Sequence, residues 1–317
     1  MQKQKALLLK SDRITVGLPR AMLYHRYEIL WKNYFSALGI KCVISGPTNK
    51  EILKLGTSVA IDEACLCTKI YLGHVKSLLG KCDLILVPRI SNFGIKRNMC
   101  TKFESLYDIV CNTFRKSNQV FISYNVDVIN GYTEEKAFTT LGIEFGFSKK
   151  EALSAYKTAK KYELDSFKNK LKSDDALYKK SGLKILIAAH SYVERDPYIG
   201  KPVTDYLKKM GAIPIYADTV DRKDALKQCE RISPTLKWEL SKEIIGSIQI
   251  HSDKIDGIVL LSAFPCGPDS MVNEMIIRKF SGIPILNIVL DDQDGTAGLE
   301  TRLESFIDIL NFKGGRL

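Results

Sequence analysis

Short β-branched runs alternate with amphipathic stretches along most of this chain, and the alternation occurs twice. In the first half, strands are predicted at 14–18, 40–45, 83–88 and 119–124, and helices at 21–38, 68–79 and 102–114. The second half repeats the order, with strands at 183–189, 213–217, 256–262 and 284–290 and helices at 201–210 and 270–280. Strands that alternate with helices form parallel sheets covered by helices. The sequence therefore predicts an α/β protein with a doubly wound parallel sheet in each half.

A helical segment separates the two halves. Residues 148–180 have a continuous helical pattern. They carry ten lysines against five acids, and the resulting charge of +5 is nearly half of the chain's net charge of +11. A lysine-covered, solvated helix explains this charge, because the segment has neither an arginine-rich nor an aromatic platform for nucleic acid. We expect an N-terminal α/β domain at 1–147, a helical connector at 148–182 and a C-terminal α/β domain at 183–317, with no nucleic-acid partner.

The amino-terminal residues predict where the protein is found. The apolar patch Ala6–Leu9 is too short for a signal-peptide core or a membrane span. We therefore expect a cytoplasmic protein with no membrane partner. In that compartment thiols stay reduced, so the eight cysteines are expected to serve metal binding, redox chemistry or packing and not structural disulfides.

The cysteines divide by their positions relative to the predicted strands. Four fall within or beside strands or inside helices and are expected to be incidental: Cys42, Cys82, Cys111 and Cys229. The other four precede predicted helices and are expected at the carboxyl edges of the sheets: Cys65, Cys67, Cys100 and Cys266. Ligands of doubly wound sheets bind at these edges, and a helix N-terminus favours the thiolate that binds metal.

Cys100 and Cys266 occupy equivalent places in the two halves, so we expect the two sheets to face a central cleft with thiols from both. Thiolates from separate segments suit an iron–sulfur cluster or zinc. Structural zinc usually takes close Cys-x-x-Cys pairs, so the wide spacing here favours a cluster that spans the fold. A thiol–disulfide switch between Cys65 and Cys67 is an alternative.

Several segments resemble one family. The stretch IDEACLCTKIYLGHV is similar to a Glu-x-x-Cys-x-Pro-x-Lys-x-x-x-Gly-His pattern of the 2-hydroxyacyl-CoA dehydratase and benzoyl-CoA reductase superfamily. The resemblance is greatest to its acyl-CoA dehydratase activase-related group, which also contains double-cubane cluster proteins. MCTKFESLYDIV, FPCGPDSMVNEMI and DDQDGTAGLETRLESF resemble further segments of that group in the same order.

This resemblance implies two Rossmann-like domains that hold a cuboidal iron–sulfur cluster in the cleft, with Cys65, Cys100 and Cys266 as ligands. It also implies that a separate ATP-hydrolysing activase of the actin fold reduces the cluster. The chain has no Gly-x-x-x-x-Gly-Lys-[Ser/Thr] loop, so ATP is expected to bind to the partner and not here.

Two positions depart from the family pattern, because Cys67 and Thr101 stand where proline is expected. Cys67 is therefore either a fourth ligand or idle. A double cubane would need more thiolates than the four predicted at the sheet edges, so a single 4Fe-4S cluster is favoured.

Four further residues are candidates at the same edges. Lys69 and His74 follow the cysteine pair on the predicted helix and would orient or electrostatically tune the cluster, or serve as a solvated lysine and a packed histidine. Arg89 and His190 close strands of the two halves, and His190 is a candidate proton donor. Asp269 is interpreted as a residue that caps a helix or pairs two elements.

The sequence and the resemblance thus predict the electron-accepting component of an ATP-driven reductase or 2-hydroxyacyl-CoA dehydratase-like system, which would be an anaerobic oxidoreductase component. Its expected partners are the activase, a small-molecule substrate, and either a homologous second subunit or a second copy of the chain. The alternative is a non-catalytic two-domain α/β module that binds a small ligand or a metal.

Overall fold

The computed structural model describes residues 14–292 and 298–312. These residues form two compact units. The first unit comprises the described residues before Glu63 together with Thr68–Ser166, and the second comprises Glu63–Cys67 together with the described residues from Phe167 onward. A short segment from the first half of the chain therefore belongs to the second unit.

The first unit is built on a four-stranded parallel sheet in the order β2-β1-β3-β5. Its strands are β1 (Thr15–Leu18), β2 (Lys41–Ile44), β3 (Leu84–Leu86) and β5 (Val120–Ile122). Its helices are α1 (Tyr24–Ala37), α2 (Lys50–Thr57), α3 (Leu66–Leu78, whose first two residues belong to the second unit), α4 (Thr101–Thr113) and α5 (Glu134–Glu144). A second, two-stranded parallel sheet pairs β4 (Arg89–Asn92) with β6 (Asn125–Asp127).

An aromatic cluster fills the core of the first unit. Trp31 and Tyr34 on α1 are almost completely buried, and the Trp31 indole N–H donates to the Tyr124 hydroxyl at 3.1 Å. The Tyr34 hydroxyl donates to the Phe138 carbonyl at 2.6 Å, so the polar end of this large side chain is satisfied inside the core.

The second unit contains a four-stranded parallel sheet in the order β10-β9-β7-β8. Its strands are β7 (Lys184–Ala188), β8 (Ile213–Tyr216), β9 (Gly257–Ala263) and β10 (Ile285–Leu290). The long helix α6 (Lys149–Asp175) enters this unit from Phe167 onward. Its other helices are α7 (Ser191–Glu194), α8 (Gly200–Lys209), α9 (Arg222–Ile232), α10 (Glu239–His251), α11 (Gly267–Lys279) and α12 (Leu299–Phe312).

The central strand β9 is buried along its whole length, as expected for a strand covered by helices on both faces. Its side chains join those of α10 and α11 in one hydrophobic core. No helix in the described part of the chain is both long enough and apolar enough to cross a membrane.

The predicted α/β class with parallel sheets is confirmed, and each of the eight predicted strands overlaps an observed one. The observed connector helix α6 is shorter than the predicted helix at 148–180. It ends at Asp175, and a 3₁₀ turn, Leu177–Lys179, follows it. Within the DDQDGTAG run that precedes α12, residues 293–297 lie outside the described residues.

Helices α2 and α3 approach each other closely through two glycines. A Cβ atom on Gly56 would lie 1.8 Å from the Lys69 carbonyl oxygen, and one on Gly73 would lie 2.0 Å from the Ile52 carbonyl oxygen. Only glycine permits this backbone contact.

Candidate functional site

The chain reverses its direction of travel across the second sheet at β7. From β7 it continues to β8 on one side, and it later returns to β9 on the other side. In doubly wound sheets this switch point opens a crevice at the carboxyl ends of the strands, where ligands bind. His190 follows β7 and Cys266 follows β9, so both residues lie at this edge.

The segment Glu63–Cys67 joins the second unit at the same edge. The backbone N–H of Leu66 donates to the carbonyl of Phe264 at 2.8 Å. This hydrogen bond anchors Cys65 and Cys67, which flank Leu66, beside the loop that carries Cys266. Cys67 is buried, whereas Cys65 and Cys266 are half-buried. Three of the four predicted edge thiols therefore belong to one unit.

The surroundings of these thiols disfavour the thiolate form. Burial raises the pKa of Cys67 well above its ordinary value, and the nearby Cys65, Asp269, Cys266 and Asp196 raise it further. Burial also raises the pKa of Cys266, and the charge of Asp269 adds to this effect. Both thiols therefore hold their protons at neutral pH unless positive charge is supplied.

Asp269 connects His190 to Cys266. Its Oδ1 lies 2.8 Å from His190 Nε2, and both side chains are buried. Burial raises the pKa of Asp269, but the charge and hydrogen bond of His190 and the hydrogen bond of Cys266 outweigh this and lower it. The carboxylate can only accept, so the imidazole Nε2 and the Cys266 thiol are the donors.

The protein backbone fixes both ends of the His190–Asp269 contact. His190 occupies the N-cap position of α7, and its ring stacks on Tyr192 with 5.0 Å between the ring centroids. Asp269 lies in the first turn of α11, where the partial positive charge of the helix end favours a carboxylate. The interpretation of Asp269 as an inter-element pairing residue agrees with this geometry.

His74 is held in the core of the first unit. Its Nδ1 lies 2.8 Å from the Ser45 hydroxyl and its Nε2 lies 2.9 Å from the Thr48 hydroxyl. Burial lowers the pKa of this imidazole to about 3, and electrostatic interactions with His25 and Arg20 contribute. His74 is therefore a neutral packed histidine, one of the two roles that the sequence left open.

The remaining predicted residues also lie in the first unit. Cys100 is the half-buried N-cap residue of α4. Lys69 is buried on α3. Arg89, at the start of β4, donates from Nη2 to Asp108 Oδ2 at 2.5 Å, and this partly exposed ion pair is a sufficient structural role for its guanidinium.

The four thiols that were expected to be incidental are only partly exposed or buried. Burial raises the pKa of Cys42, Cys82 and Cys229 to about 11 in each case. Such thiols stay protonated at neutral pH and are poor nucleophiles.

A buried charge cluster next to β7 and β8 was not predicted. Asp218 accepts from Arg195 Nη2 at 2.6 Å and from Lys170 Nζ at 2.8 Å, and Arg195 also stacks 3.6 Å from the centroid of the Tyr216 ring. Asp218 lies two residues after β8, so its position at a carboxyl edge was the available signal. Lys170 comes from the helical connector, 48 residues away, which sequence spacing does not reveal.

The Glu194 side chain completes this cluster in its neutral form. Its side chain is fully buried, and no donor from the described residues is hydrogen-bonded to either carboxyl oxygen. The nearest guanidinium nitrogen, Arg195 Nε, is 3.6 Å away. Burial and the neighbouring charge of Asp218 raise the pKa of Glu194 well above its ordinary value, so the neutral acid is the favoured form.

The donor chemistry of the three second-unit thiols fits a soft metal centre. Among residues 14–292 and 298–312, however, no three Cys, His, Asp or Glu side chains are close enough together to hold a single metal ion. Tetrahedral zinc with bonds of about 2.3 Å needs its sulfur ligands to lie about 3.8 Å apart. A cuboidal cluster accepts wider spacing, because each thiolate ligates a different iron atom.

Together these features define an α/β protein with a thiol-rich site at the carboxyl edge of a parallel sheet. Residues 15–220, more than half of the chain, match the family described as the CoA enzyme activase uncharacterised domain (DUF2229). The chain belongs to this family. The matched region includes Cys65, Cys67, Cys100 and His190, and it ends before Cys266.

No curated protein matches the chain significantly. Among solved structures, the chain has a slight similarity to a Zn(II)-bound mutant variant of AdcAII from Streptococcus pneumoniae. The two are 12% identical with a TM-score of 0.27, over 95% of this chain and 99% of that one.

Proposed function

We propose that this protein holds an iron–sulfur cluster, most simply one 4Fe-4S cluster, on Cys65 and Cys266 together with Cys100, and that Cys67 is the candidate for a fourth ligand. The cluster would accept electrons from a separate ATP-hydrolysing activase and pass them on within a reductase or 2-hydroxyacyl-CoA dehydratase-like system. The supporting observation is the Leu66–Phe264 hydrogen bond, which joins two cysteine-bearing segments at the switch point of one sheet.

The charge around the thiols supports a cationic ligand. Ionisation of Cys67 and Cys266 is opposed by burial and by nearby acids, Asp269 for both thiols and Asp196 for Cys67 as well. Bound iron supplies the positive charge that makes several thiolates stable in such a place, and it releases the thiol protons when it binds.

The protein's own residues orient the ligand on the second segment. Asp269 receives the hydrogen bond of His190, which restricts the carboxylate that faces Cys266. Cys266 is the N-cap residue of α11, and the backbone N–H of Asp269 is hydrogen-bonded to its sulfur, so this helix end would help to hold negative charge on a bound ligand. When bound, the cluster would supply one-electron chemistry that no side chain here provides.

The experiment is anaerobic purification followed by iron, sulfide and zinc analysis, with visible absorption as a second readout. The wild-type chain is expected to contain iron and acid-labile sulfide in equal amounts. Cys65→Ser, Cys100→Ser and Cys266→Ser are each expected to lose most of the iron. Cys42→Ser and Cys229→Ser are matched controls that should retain it.

Cys67→Ser distinguishes two forms of the site. Loss of iron would indicate four thiolates, whereas retained iron would indicate three thiolates and an idle Cys67. A colourless protein that contains zinc, or a chain without metal after anaerobic reconstitution, would contradict the proposal.

A further inference from the structure

One face of helix α11 in the second unit is open to solvent and carries two methionines. A shallow groove of about 620 Å³ runs along this face, and we call it the α11 stripe. The residues that line it all belong to α11 itself: Ser270, Met271, Glu274, Met275, Arg278 and Lys279. Met271 is 65% exposed, and Met275 is only partly buried. Methionine side chains are flexible and polarisable, and exposed methionines on one helix face are typical of surfaces that bind another protein.

The opposite face of α11 fixes the helix to the sheet. Val272, Ile276 and Phe280 join the hydrophobic core of the unit. The Asn273 side-chain amide donates to Asn287 Oδ1 on β10 at 3.3 Å. The α11 stripe is therefore presented on a rigid element, which lowers the entropic cost of binding.

The charges of the α11 stripe are ordered along the helix. Glu274 lies toward the amino end, and Arg278 and Lys279 lie toward the carboxyl end. The elements packed beside α11 add little charge to this face. Strand β10 contains no charged residue, and the one exposed side chain of α10 is the uncharged Gln249. The stripe therefore has one acidic half and one basic half.

This order of charge is complementary to itself. When two identical helices pack antiparallel, the amino half of each helix faces the carboxyl half of the other. Glu274 of one copy then lies beside the basic residues of the other copy, and the twofold symmetry makes this contact twice. The methionines lie between these two charge contacts. A uniformly acidic or uniformly basic partner would match only one half of the stripe, so a second copy of the chain is the better complement.

The distribution of charge between the two units permits such a contact. The residues of the second unit include 22 Lys and Arg against 22 Asp and Glu, which leaves 25 against 14 in the first unit. The whole net charge of +11 therefore belongs to the first unit. Two copies that meet through α11 bring neutral units together, so long-range repulsion between the contacting units is small.

We propose that the α11 stripe is a homodimerisation surface, on which α11 of one copy packs antiparallel against α11 of a second copy about a twofold axis. This inference is independent of the proposed function, because it uses neither the thiols nor a cluster. Helix α11 has 13 residues and is therefore about 20 Å long. A contact along one such helix is at the small end of specific interfaces, so the dimer is expected to dissociate at concentrations on the order of micromolar.

The test is sedimentation velocity of the full-length chain from about 1 to about 200 µM, with a reductant present so that disulfide-linked dimers do not form. The wild-type chain is expected to change from monomer to dimer across this range. Met275→Ser and Glu274→Arg are each expected to raise the Kd of the dimer at least about tenfold, because every substitution acts twice in a symmetric contact.

Asp205→Arg is the matched control. It reverses the acid of another exposed i,i+4 ion pair, with Lys201 on helix α8 of the same unit. The Kd of this variant should stay within about twofold of wild type, because the change lies outside the stripe.

A mixture of two variants tests the pairing itself. Glu274→Arg leaves the stripe with basic charge only, whereas Arg278→Glu makes its net charge negative. Each variant alone is expected to self-associate weakly, but an equal mixture should form dimers with a Kd close to that of wild type, because opposite charges then face each other. A purely structural role of these residues within α11 predicts no such recovery.

Three results would overturn this inference. The first is a wild-type chain that stays monomeric up to about 200 µM. The second is a dimer whose Kd is the same in Met275→Ser and Glu274→Arg as in wild type, which would place the contact elsewhere. The third is a mixture of the two charge variants that associates no better than either variant alone. Far-UV circular dichroism of each variant checks that the fold is retained, as expected for substitutions on the solvent-facing side of α11.

Discussion

The glycine contact between α2 and α3 gives a prediction whose sign can be worked from distances. Alanine normally improves a helix by about 1 kcal/mol over glycine. On propensity alone, Gly56→Ala and Gly73→Ala should each stabilise the protein. The structure predicts the opposite, because the new methyl groups would lie 1.8 and 2.0 Å from backbone carbonyl oxygens, where contacts below 3.0 Å essentially never occur.

The size of the effect follows from the separation that the helices need. To restore ordinary contact at 3.4 Å, the two backbones must move apart by about 1.5 Å, because the obstructing atoms are carbonyl groups and not flexible side chains. Overpacking of this kind costs about 3 kcal/mol, and the helix propensity returns about 1 kcal/mol. Each variant is therefore expected to lose about 2 kcal/mol, which corresponds to a fall in Tm of about 4–8 °C for a unit of this size.

The assay is urea and thermal unfolding of the full chain, followed by far-UV circular dichroism and tryptophan fluorescence. Trp31 is 1% exposed in the first unit and reports on the unit that contains both glycines. Gly46→Ala is the matched control, because it adds the same methyl group in the same unit with no atom within 4 Å. It should be neutral or slightly stabilising.

The double variant tests the shared cause. One separation of α2 from α3 relieves both clashes, so Gly56→Ala/Gly73→Ala should lose less stability than the two single losses added together. An unchanged or raised Tm in either single variant would refute the close helix contact.

Two further predictions concern pH and have opposite signs. Glu194 has a raised pKa in the folded state, so its contribution to stability is complete below its ordinary pKa near 4.5 and is lost as the pH rises through the folded value. Glu194→Gln keeps a neutral side chain of the same shape, so its gain in unfolding free energy over wild type should grow between pH 5 and pH 8. A difference that stays constant with pH would contradict a buried neutral acid. His74 has a pKa lowered to about 3, so its contribution is complete above its ordinary pKa of 6.5 and is lost as the pH falls toward 3, at about 1.4 kcal/mol per pH unit. His74→Gln should show a shallower loss of stability between pH 6 and pH 4 in urea unfolding, and equal slopes would contradict the assignment of a neutral histidine.

The fold was predictable where burial imposed a simple pattern. Residues 84–87 are entirely apolar and predicted β3, and the apolar residues 258–261 predicted β9 in the same way. Helix α10 was missed because several of its buried residues are polar or charged, among them Glu239, Ser241 and Lys242, so its sequence does not mark them as part of a core. Strands β4 and β6 were missed because they have only four and three residues and carry polar side chains.

The ends of the predicted strands indicated which residues lie at the candidate site, but the sequence did not indicate which of these residues contact each other. The position of Cys266 after β9 was visible in the sequence, since every parallel strand presents its carboxyl end at the same edge. The hydrogen bond from Leu66 to Phe264 and the contact between His190 and Asp269 were not visible, because their partners lie 198 and 79 residues apart. Contacts at such separations depend on strand order, which a single sequence does not specify.

The protonation of the edge thiols separates the chemistries that cysteine can serve. A nucleophilic or redox-active cysteine needs a lowered pKa, which an electropositive environment provides. Cys67 and Cys266 have the reverse environment, since burial and nearby acids raise the pKa of both. Neither a thiol–disulfide switch nor covalent catalysis benefits from such surroundings. A metal centre does, because the bound cations stabilise the thiolates and are themselves retained by the surrounding negative charge. The acidic residues around these thiols therefore argue against a nucleophilic role and are compatible with the cluster ligand role proposed above.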